Sequence, residues 1–220
     1  MTIAERRAHA DALCAALDGD AFVIVDHARD VQRSHVHAWR EACARGGPWV
    51  GVMQDDVILC DDFAARVAAR VREAEARAIQ VVSLYNHAHC DRFLDRVDAR
   101  WARVDLRRMG PIVSTVDRQR QIRSAVPGEQ AVLARRDVAL HYAAFAEHHA
   151  ALYRTFPGVH DGLLGLFFNA HLTGARDLDA MTDSQVHIAI PNLVDHRADL
   201  ASSLGDPRVR RSSTFSPGAR

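Results

Sequence analysis

Short apolar runs alternate with segments of helical period along the first half of the chain. The apolar runs 21–26, 49–53 and 79–85 are bounded by polar or glycine-containing segments, as expected of buried strands. Between them, residues 31–44 and 63–78 place apolar side chains three and four positions apart, which predicts helices. This order predicts an α/β domain with a mostly parallel sheet flanked by helices.

The second half of the chain predicts further elements of both kinds. Charges interrupt the short apolar runs of residues 92–123, which predict a strand or two joined by long connections. Strand patterns return at 128–133 and 186–190, and helical patterns occupy 136–152 and 162–169 between them. The α/β order therefore continues to the last predicted strand.

Composition favours one folded domain. The chain has 220 residues, of which 48% are hydrophobic and 25% charged, the balance of a globular protein. We predict a single domain over residues 1–200. Beyond it, Ser, Arg, Gly and Pro replace the periodic pattern, which predicts a flexible tail over residues 201–220.

Charge and cysteine content narrow the classes of function. Lys+Arg and Asp+Glu both number 28, and this zero net charge disfavours a polybasic membrane anchor or a non-specific nucleic-acid coat. No apolar stretch approaches the roughly 18–20 residues that span a bilayer, and the N-terminal residues lack a signal core. The four cysteines include no CxxC pair, which disfavours a disulfide framework or a zinc ribbon. We predict a cytoplasmic protein.

Two adjacent carboxylates, Asp55 and Asp56, follow the apolar run 49–53. Ligands of open α/β sheets collect at the carboxyl ends of the strands. Adjacent carboxylates there can hold Mg²⁺ or Mn²⁺ together with substrate phosphates. Residue types alone leave two interpretations open, a metal site or the start of an ordinary solvated loop.

Two neighbouring motifs in the sequence are Ser34-His35-Val-His-Ala-Trp39 and Gly46-Gly-Pro-Trp-Val-Gly-Val-Met-Gln-Asp-Asp-Val57. They resemble motifs of GT-A glycosyltransferases. A Ser-His helix ending in Trp, followed by an apolar strand ending in an acidic pair, is most similar to the lipooligosaccharide galactosyltransferase-type family and its phage-encoded relatives. Four further segments resemble the same family, and they extend the resemblance over residues 21–205. They are 128–137, 160–162, 191–196 and 202–205.

The resemblance implies a nucleotide-sugar-binding domain of GT-A fold whose DxD-like motif holds Mn²⁺ or Mg²⁺ against the donor diphosphate. Gln54 stands where the family has its first Asp, so Asp56 becomes the expected metal ligand and Asp55 a contact to the donor's ribose or sugar. The resemblance also implies that His196 completes the metal site, although a plain loop position for it stays open. Asp161 is the expected general base that deprotonates the acceptor hydroxyl.

Five further residues are expected to bind the nucleotide-sugar donor. Ser34 and His35 belong to the shared Ser-His motif, and Asp26 ends a predicted strand, where it either contacts the nucleotide or caps a turn. Arg208 and Arg211 lie in the C-terminal arginine cluster. Guanidinium groups match the geometry of diphosphate oxygens, so a basic tail can fold over a bound donor.

These expectations predict a metal-dependent glycosyltransferase that moves a sugar from a nucleotide diphosphate to an acceptor hydroxyl of a glycan, a protein or a modified DNA base. The chain starts with a segment that resembles the helix after the usual GT-A first strand, so that strand either lies upstream of this start or is absent. This departure, with Gln54, leaves open a non-catalytic sugar- or partner-binding module. A third alternative is a metal-dependent hydrolase that uses Asp56 with His87 and His89.

Overall fold

The computed structural model describes residues 6–17, 21–27, 30–109, 130–149, 160–174, 183–197, 211–215 and 217. The helices in these ranges are α1 Arg7–Ala16, α2 Val31–Arg45, α3 Phe63–Ala76, α4 Leu106–Met109, α5 Arg136–His148 and α6 His160–Leu166. The strands are β1 Trp49–Met53, β2 Val57–Leu59, β3 Val81–Ser83, β4 Leu94–Arg96, β5 Trp101–Asp105, β6 Ala131–Arg135, β7 Asp183–Ala189 and β8 Val194–His196. None of the helices described has the length and apolarity to cross a bilayer.

Two short helices of other types complete the described elements. A 3₁₀ helix, Ala88–Phe93, leads directly into β4. A π-helical turn, Phe167–His171, continues α6.

The large sheet is mixed. In the described ranges, six strands form it in the order β1-β6-β3-β7-β5-β4. Only β3 and β7 pair in parallel, and the other four neighbouring pairs are antiparallel. The predicted α/β class is confirmed, whereas the prediction of a mostly parallel sheet is wrong.

Two physical reasons account for the wrong prediction of strand direction. A short apolar run has the same periodicity in a parallel and an antiparallel strand, so the pattern of 128–133 could not reveal that β6 runs against β1 and β3. In addition, the run 21–26 does not join the sheet, since Val25 forms one isolated bridge and Phe22 packs against the core instead.

A second sheet of two strands forms beside the first. β2 pairs with β8 in antiparallel fashion, with Val57 opposite His196 and Leu59 opposite Val194. Cys60 N donates to Leu193 O at 3.0 Å and extends this pairing. Residues 54–56 alone separate β1 from β2, and residues 190–193 separate β7 from β8. The small sheet therefore lies where β1 and β7 end.

The core is divided between the two faces of the large sheet. On one face, Trp39 of α2 and Tyr142 of α5 pack edge to face at 5.6 Å between ring centroids. Val81 belongs to that cluster, while its neighbour Val82 belongs to the cluster under α3 on the opposite face. This alternation follows from the two-residue period of a strand. Helices on both faces thus bury the sheet and leave its strand ends for chemistry.

Two Leu→Ala substitutions test the position of the core. Leu164 of α6 is fully buried, whereas Leu140 of α5 is 47% exposed. We expect Leu164→Ala to lower the free energy of unfolding by about 2–5 kcal/mol, because it leaves a cavity. The matched Leu140→Ala is expected to cost less than about 0.5 kcal/mol. Urea unfolding midpoints measure both, and equal losses would contradict the described packing.

Candidate functional site

The strand ends at one edge of the large sheet gather the polar residues of the candidate site. β1, β3 and β7 run in the same direction, so their C-terminal ends share this edge, and β6 begins there. Gln54 N donates to Gln130 O at 2.8 Å, which ties the loop after β1 to the start of β6. Leu193 N donates to Leu84 O at 2.9 Å and ties the loop before β8 to the end of β3. Leu84 N donates in turn to Ala131 O at 2.9 Å, so backbone hydrogen bonds hold four separate chain segments together.

Asp56 and His196 are in contact at this edge. The pairing of Val57 with His196 places the preceding Asp56 beside the histidine ring, with 3.2 Å between Asp56 Oδ2 and His196 Nε2. Arg197 N also donates to Asp56 O at 2.7 Å. The remaining atoms, Asp56 Oδ1 and His196 Nδ1, are buried and have no hydrogen-bond partner among the described residues. The structure thus brings the two expected metal ligands together, and their metal role stays a prediction.

Arg6 lies against both carboxylates of the acidic pair. Its Nη1 is 3.1 Å from Asp55 Oδ1 and 3.7 Å from Asp56 Oδ2, and its side chain is only 11% exposed. The sequence analysis missed Arg6 because it lies 49 positions before Asp55 in a segment with ordinary helical spacing. A long-range ion pair of this kind leaves no signal in local residue patterns.

The environment of Asp56 favours its ionised form. Burial by itself would raise the pKa of this carboxyl, because low polarity penalises charge. The hydrogen bond and charge of His196, together with the charge of Arg6, outweigh burial and hold the pKa of Asp56 below its ordinary value. Asp56 is therefore an anion at neutral pH and can bind a cation.

The residues at this edge fit a divalent cation that also binds substrate. A carboxylate oxygen and an imidazole nitrogen are suitable ligands for Mn²⁺, and the partnerless Oδ1 of Asp56 supplies an unused acceptor. No group of three or more His, Cys, Asp or Glu in the described ranges is arranged to hold a metal. The described residues therefore offer an incomplete ligand set, which suits Mn²⁺ or Mg²⁺ shared with substrate phosphates and water.

Asp26 and Ser34 lie at the start of α2. Asp26 is buried, and its Oδ1 accepts a hydrogen bond from Asp30 N at 2.9 Å, so it caps the turn into α2. Ser34 is half-buried within the first turns of the same helix. The turn-cap interpretation of Asp26 is thus observed, and contact of Asp26 or Ser34 with a nucleotide stays a prediction.

His35 lies in the core rather than at the strand ends. Its Nε2 accepts a hydrogen bond from Trp39 Nε1 at 3.1 Å and lies 3.0 Å from the Tyr142 hydroxyl. The residue is 4% exposed. This placement favours a packing role between α2 and α5, because the polar contacts of the ring are with the core residues Trp39 and Tyr142. Donor binding by His35 has no support in the geometry.

The remaining expected residues are only partly described. Asp161 lies in α6, but its side chain is outside the described parts of the chain, as is all of Arg208. Arg211 is exposed, and its carbonyl oxygen accepts from Ala88 N at 2.9 Å. Ser212 N donates to Asp195 Oδ1 at 2.7 Å. Residues 211 and 212 therefore lie against the loop after β3 and against β8, close to the candidate site.

An apolar cavity adjoins the acidic pair. It has a volume of about 280 Å³ and lies between α1, residues 21–24, α2 and β1. Leu13, Phe22 and Val50 are among the apolar residues that line it, and Gln54 and Asp55 form its polar end. A flat apolar group can therefore lie beside Asp55.

Three buried amides at the same edge were also missed. They are Asn86, Gln130 and Asn192. Asn86 and Asn192 follow predicted strands by one and two residues, and Gln130 lies within the predicted strand 128–133, directly before its apolar part. Their position directly before or after an apolar run was the available signal. Polar residues are common in such loops, so position alone did not distinguish them.

The comparisons with known proteins identify no relative. No protein-family model matches the chain, and no curated protein or solved structure is significantly similar to it. The resemblance to GT-A glycosyltransferases therefore rests on the short sequence motifs alone.

The lowered pKa of Asp56 predicts a pH-dependent contribution to stability. Because its pKa is lower in the folded than in the unfolded state, ionised Asp56 stabilises the fold above the unfolded-state value of about 3.9. This contribution is lost as the pH falls through the lowered folded-state pKa. We expect the difference in unfolding free energy between the wild type and Asp56→Asn to be greatest near neutral pH. Urea titrations down to about pH 3 should show it shrink, and a constant difference would contradict the assignment.

Proposed function

We propose that this protein is a metal-dependent glycosyltransferase that moves a sugar from a nucleotide diphosphate to an acceptor hydroxyl. The contact between Asp56 and His196, beside Asp55 at the edge where β1, β3 and β7 end, is the observation that carries this proposal. This contact supports the binding of one cation by both residues, although they lie far apart in the sequence.

Each residue of the edge has a distinct part in the proposed reaction. Asp56 and His196 hold the Mn²⁺ or Mg²⁺, which when bound supplies Lewis-acid stabilisation of the leaving diphosphate. Asp55 accepts a hydrogen bond from a hydroxyl of the donor's ribose or sugar. The adjoining apolar cavity takes the base of the nucleotide. Arg211, exposed beside the loop after β3, pairs with diphosphate oxygens, and Arg208 is proposed to do the same.

Asp161 is the proposed general base, on the strength of the family resemblance. Its carboxylate takes the proton of the acceptor hydroxyl as the oxygen attacks the anomeric carbon of the donor sugar. The new glycosidic bond forms while the bond between that carbon and the diphosphate breaks. The electron pair leaves with the diphosphate, and Asp161 holds the proton.

The four cysteines are all free, which supports placing this reaction in the cytoplasm.

Substitution of the two expected ligands tests the proposal. Titration of a panel of nucleotide diphosphate sugars with Mn²⁺ should show metal-dependent binding, and product analysis should show release of the nucleoside diphosphate. We expect Asp56→Ala to weaken the metal-dependent binding roughly 100-fold, because it removes a charge and a ligand. His196→Ala should weaken it about tenfold, because only a neutral ligand is lost.

Exposed residues of the same types provide the controls. Asp11→Ala on α1 and His37→Ala on α2 should bind metal and nucleotide sugar as the wild type does. Absence of both binding and donor hydrolysis across the panel would overturn the proposed function. Metal-dependent binding of the donor without transfer to any acceptor would instead support the non-catalytic alternative.

The contact of Arg6 with the acidic pair predicts competition between this side chain and the metal. Arg6→Ala removes a cation from beside both carboxylates, so Mn²⁺ should bind the nucleotide-free protein several-fold more tightly. Arg7→Ala is the matched control, since Arg7 pairs with exposed Asp11 instead. Titration of free Mn²⁺ by electron paramagnetic resonance measures both affinities. Unchanged affinity in Arg6→Ala would show that Arg6 and Mn²⁺ do not compete.

A further inference from the structure

Three buried amide side chains at the site edge have unused carbonyl oxygens. Asn86 and Asn192 are each 1% exposed and Gln130 is 5% exposed. Asn86 Oδ1, Gln130 Oε1 and Asn192 Oδ1 are buried and accept no hydrogen bond from any described residue. Buried polar atoms are nearly always hydrogen-bonded in folded proteins, so three unused acceptors at one edge require an explanation. We call these three residues the amide cradle.

The hydrogen bonds of the amide nitrogens fix which end of each asparagine is unused. Asn86 Nδ2 donates to Asp91 Oδ1 at 2.5 Å. Asn192 Nδ2 donates to the carbonyl oxygen of Asn86 at 3.1 Å and to Ser212 Oγ at 2.7 Å. Reversing either amide would place its oxygen against a carboxylate or a carbonyl oxygen. The unused groups are therefore hydrogen-bond acceptors.

The amide cradle is continuous with the acidic pair. Gln130 O accepts from Gln54 N at 2.8 Å, and Gln54 immediately precedes Asp55. Asn192 lies three residues after the end of β7, in the loop that leads into β8 and His196. A ligand at the proposed metal position therefore has the cradle as its neighbour along the same edge.

The chemistry of the cradle selects its ligand. Acceptors without partners need a molecule that brings hydrogen-bond donors, and neutral amides add no charge to pair with an ionised group. A carboxylate would bring acceptors only, and it would meet the carboxylate of Asp91, which accepts from Asn86 Nδ2 beside the cradle. Hydroxyl groups satisfy these conditions, because each donates one hydrogen bond and carries no charge.

We propose that the amide cradle binds a neutral, hydroxyl-rich sugar and discriminates against sugars that carry a carboxylate. Two molecules in the proposed reaction carry a sugar of this kind, the nucleotide-sugar donor and the acceptor. The assignment to either source rests on the proposed function, whereas the preference for a neutral sugar does not.

Gln130→Met is the variant that tests this inference. Gln130 makes no side-chain hydrogen bond to described residues, so a side chain of similar size should leave the fold intact, as circular dichroism will verify. Gln185→Met is the matched control, because Gln185 is exposed near the start of β7, at the opposite end of that strand from the cradle. The first ligands are methyl glucoside and methyl galactoside. They are compared with the methyl glycosides of glucuronate and galacturonate, which carry a free carboxylate. Saturation-transfer NMR without nucleotide detects the binding of each.

We expect the wild type and Gln185→Met to bind the neutral glycosides in preference to the uronate glycosides. Gln130→Met should bind the neutral glycosides about tenfold more weakly than the wild type. Equal binding of the neutral and the uronate glycosides, or no effect of Gln130→Met, would overturn the inference. Absence of glycoside binding would also overturn it, because ordered water alone would then satisfy the amides.

A second set of titrations distinguishes the source of the sugar from failure of the proposed function. With Mn²⁺ present, uridine diphosphate glucose is compared with uridine diphosphate glucuronate, which differs from it only at the sugar C6. A preference of at least about tenfold for the neutral donor, lost in Gln130→Met while uridine diphosphate binding is unchanged, places the donor sugar in the cradle. Glycoside preference without that donor preference places the acceptor sugar there. Glycoside preference without binding of any nucleotide contradicts the proposed function and leaves the inference standing.

Discussion

The pairing of β2 with β8 is the interaction on which the candidate site depends. Its register sets Val57 opposite His196, and this alone brings Asp56 into contact with a residue 140 positions later. Leu193, just before β8, also bonds to the end of β3, so the small sheet is attached to the large one through backbone groups. A shift of one residue in this register would turn His196 to the other face of the strand. The site is therefore held by backbone hydrogen bonds rather than by its own side chains.

Charge balance at the acidic pair imposes a second constraint. Two carboxylates that are mostly shielded from water repel each other and lose solvation, so the fold must supply positive charge beside them. Arg6 does so from the position just before α1, and His196 of β8 contributes a polar contact to Asp56. A divalent cation would satisfy the same carboxylates with greater charge density. The position of α1 is thereby coupled to whatever occupies the edge, because the residue just before it carries the competing guanidinium.

The sequence was sufficient for the features that depend on local order. Alternating helical and apolar segments correctly indicated an α/β domain, and the family resemblance, which assigned Asp56 and His196 to one metal site, anticipated their contact. Strand direction was not predictable, because β6 has the same apolar pattern whichever way it runs. His35 shows a different limit: the spacing of His35 and Trp39 suits a functional motif and a buried helix face equally, and only the packing of Tyr142 distinguishes them. Arg6 depends on a contact over 49 positions that no local pattern contains.

The two halves of the edge differ in the kind of group that they can stabilise. Arg6, Asp55, Asp56 and His196 form a charged half, and the amide cradle forms a neutral half with unused acceptors. The backbone bond between Gln54 and Gln130 keeps the halves adjacent, so the spacing between them does not vary with side-chain motion. A ligand that uses both halves must itself carry an ionised group joined directly to an uncharged, hydroxyl-rich group. A diphosphate bonded to a sugar has this construction, which is why the neutral amides support the proposed donor as strongly as the carboxylates do.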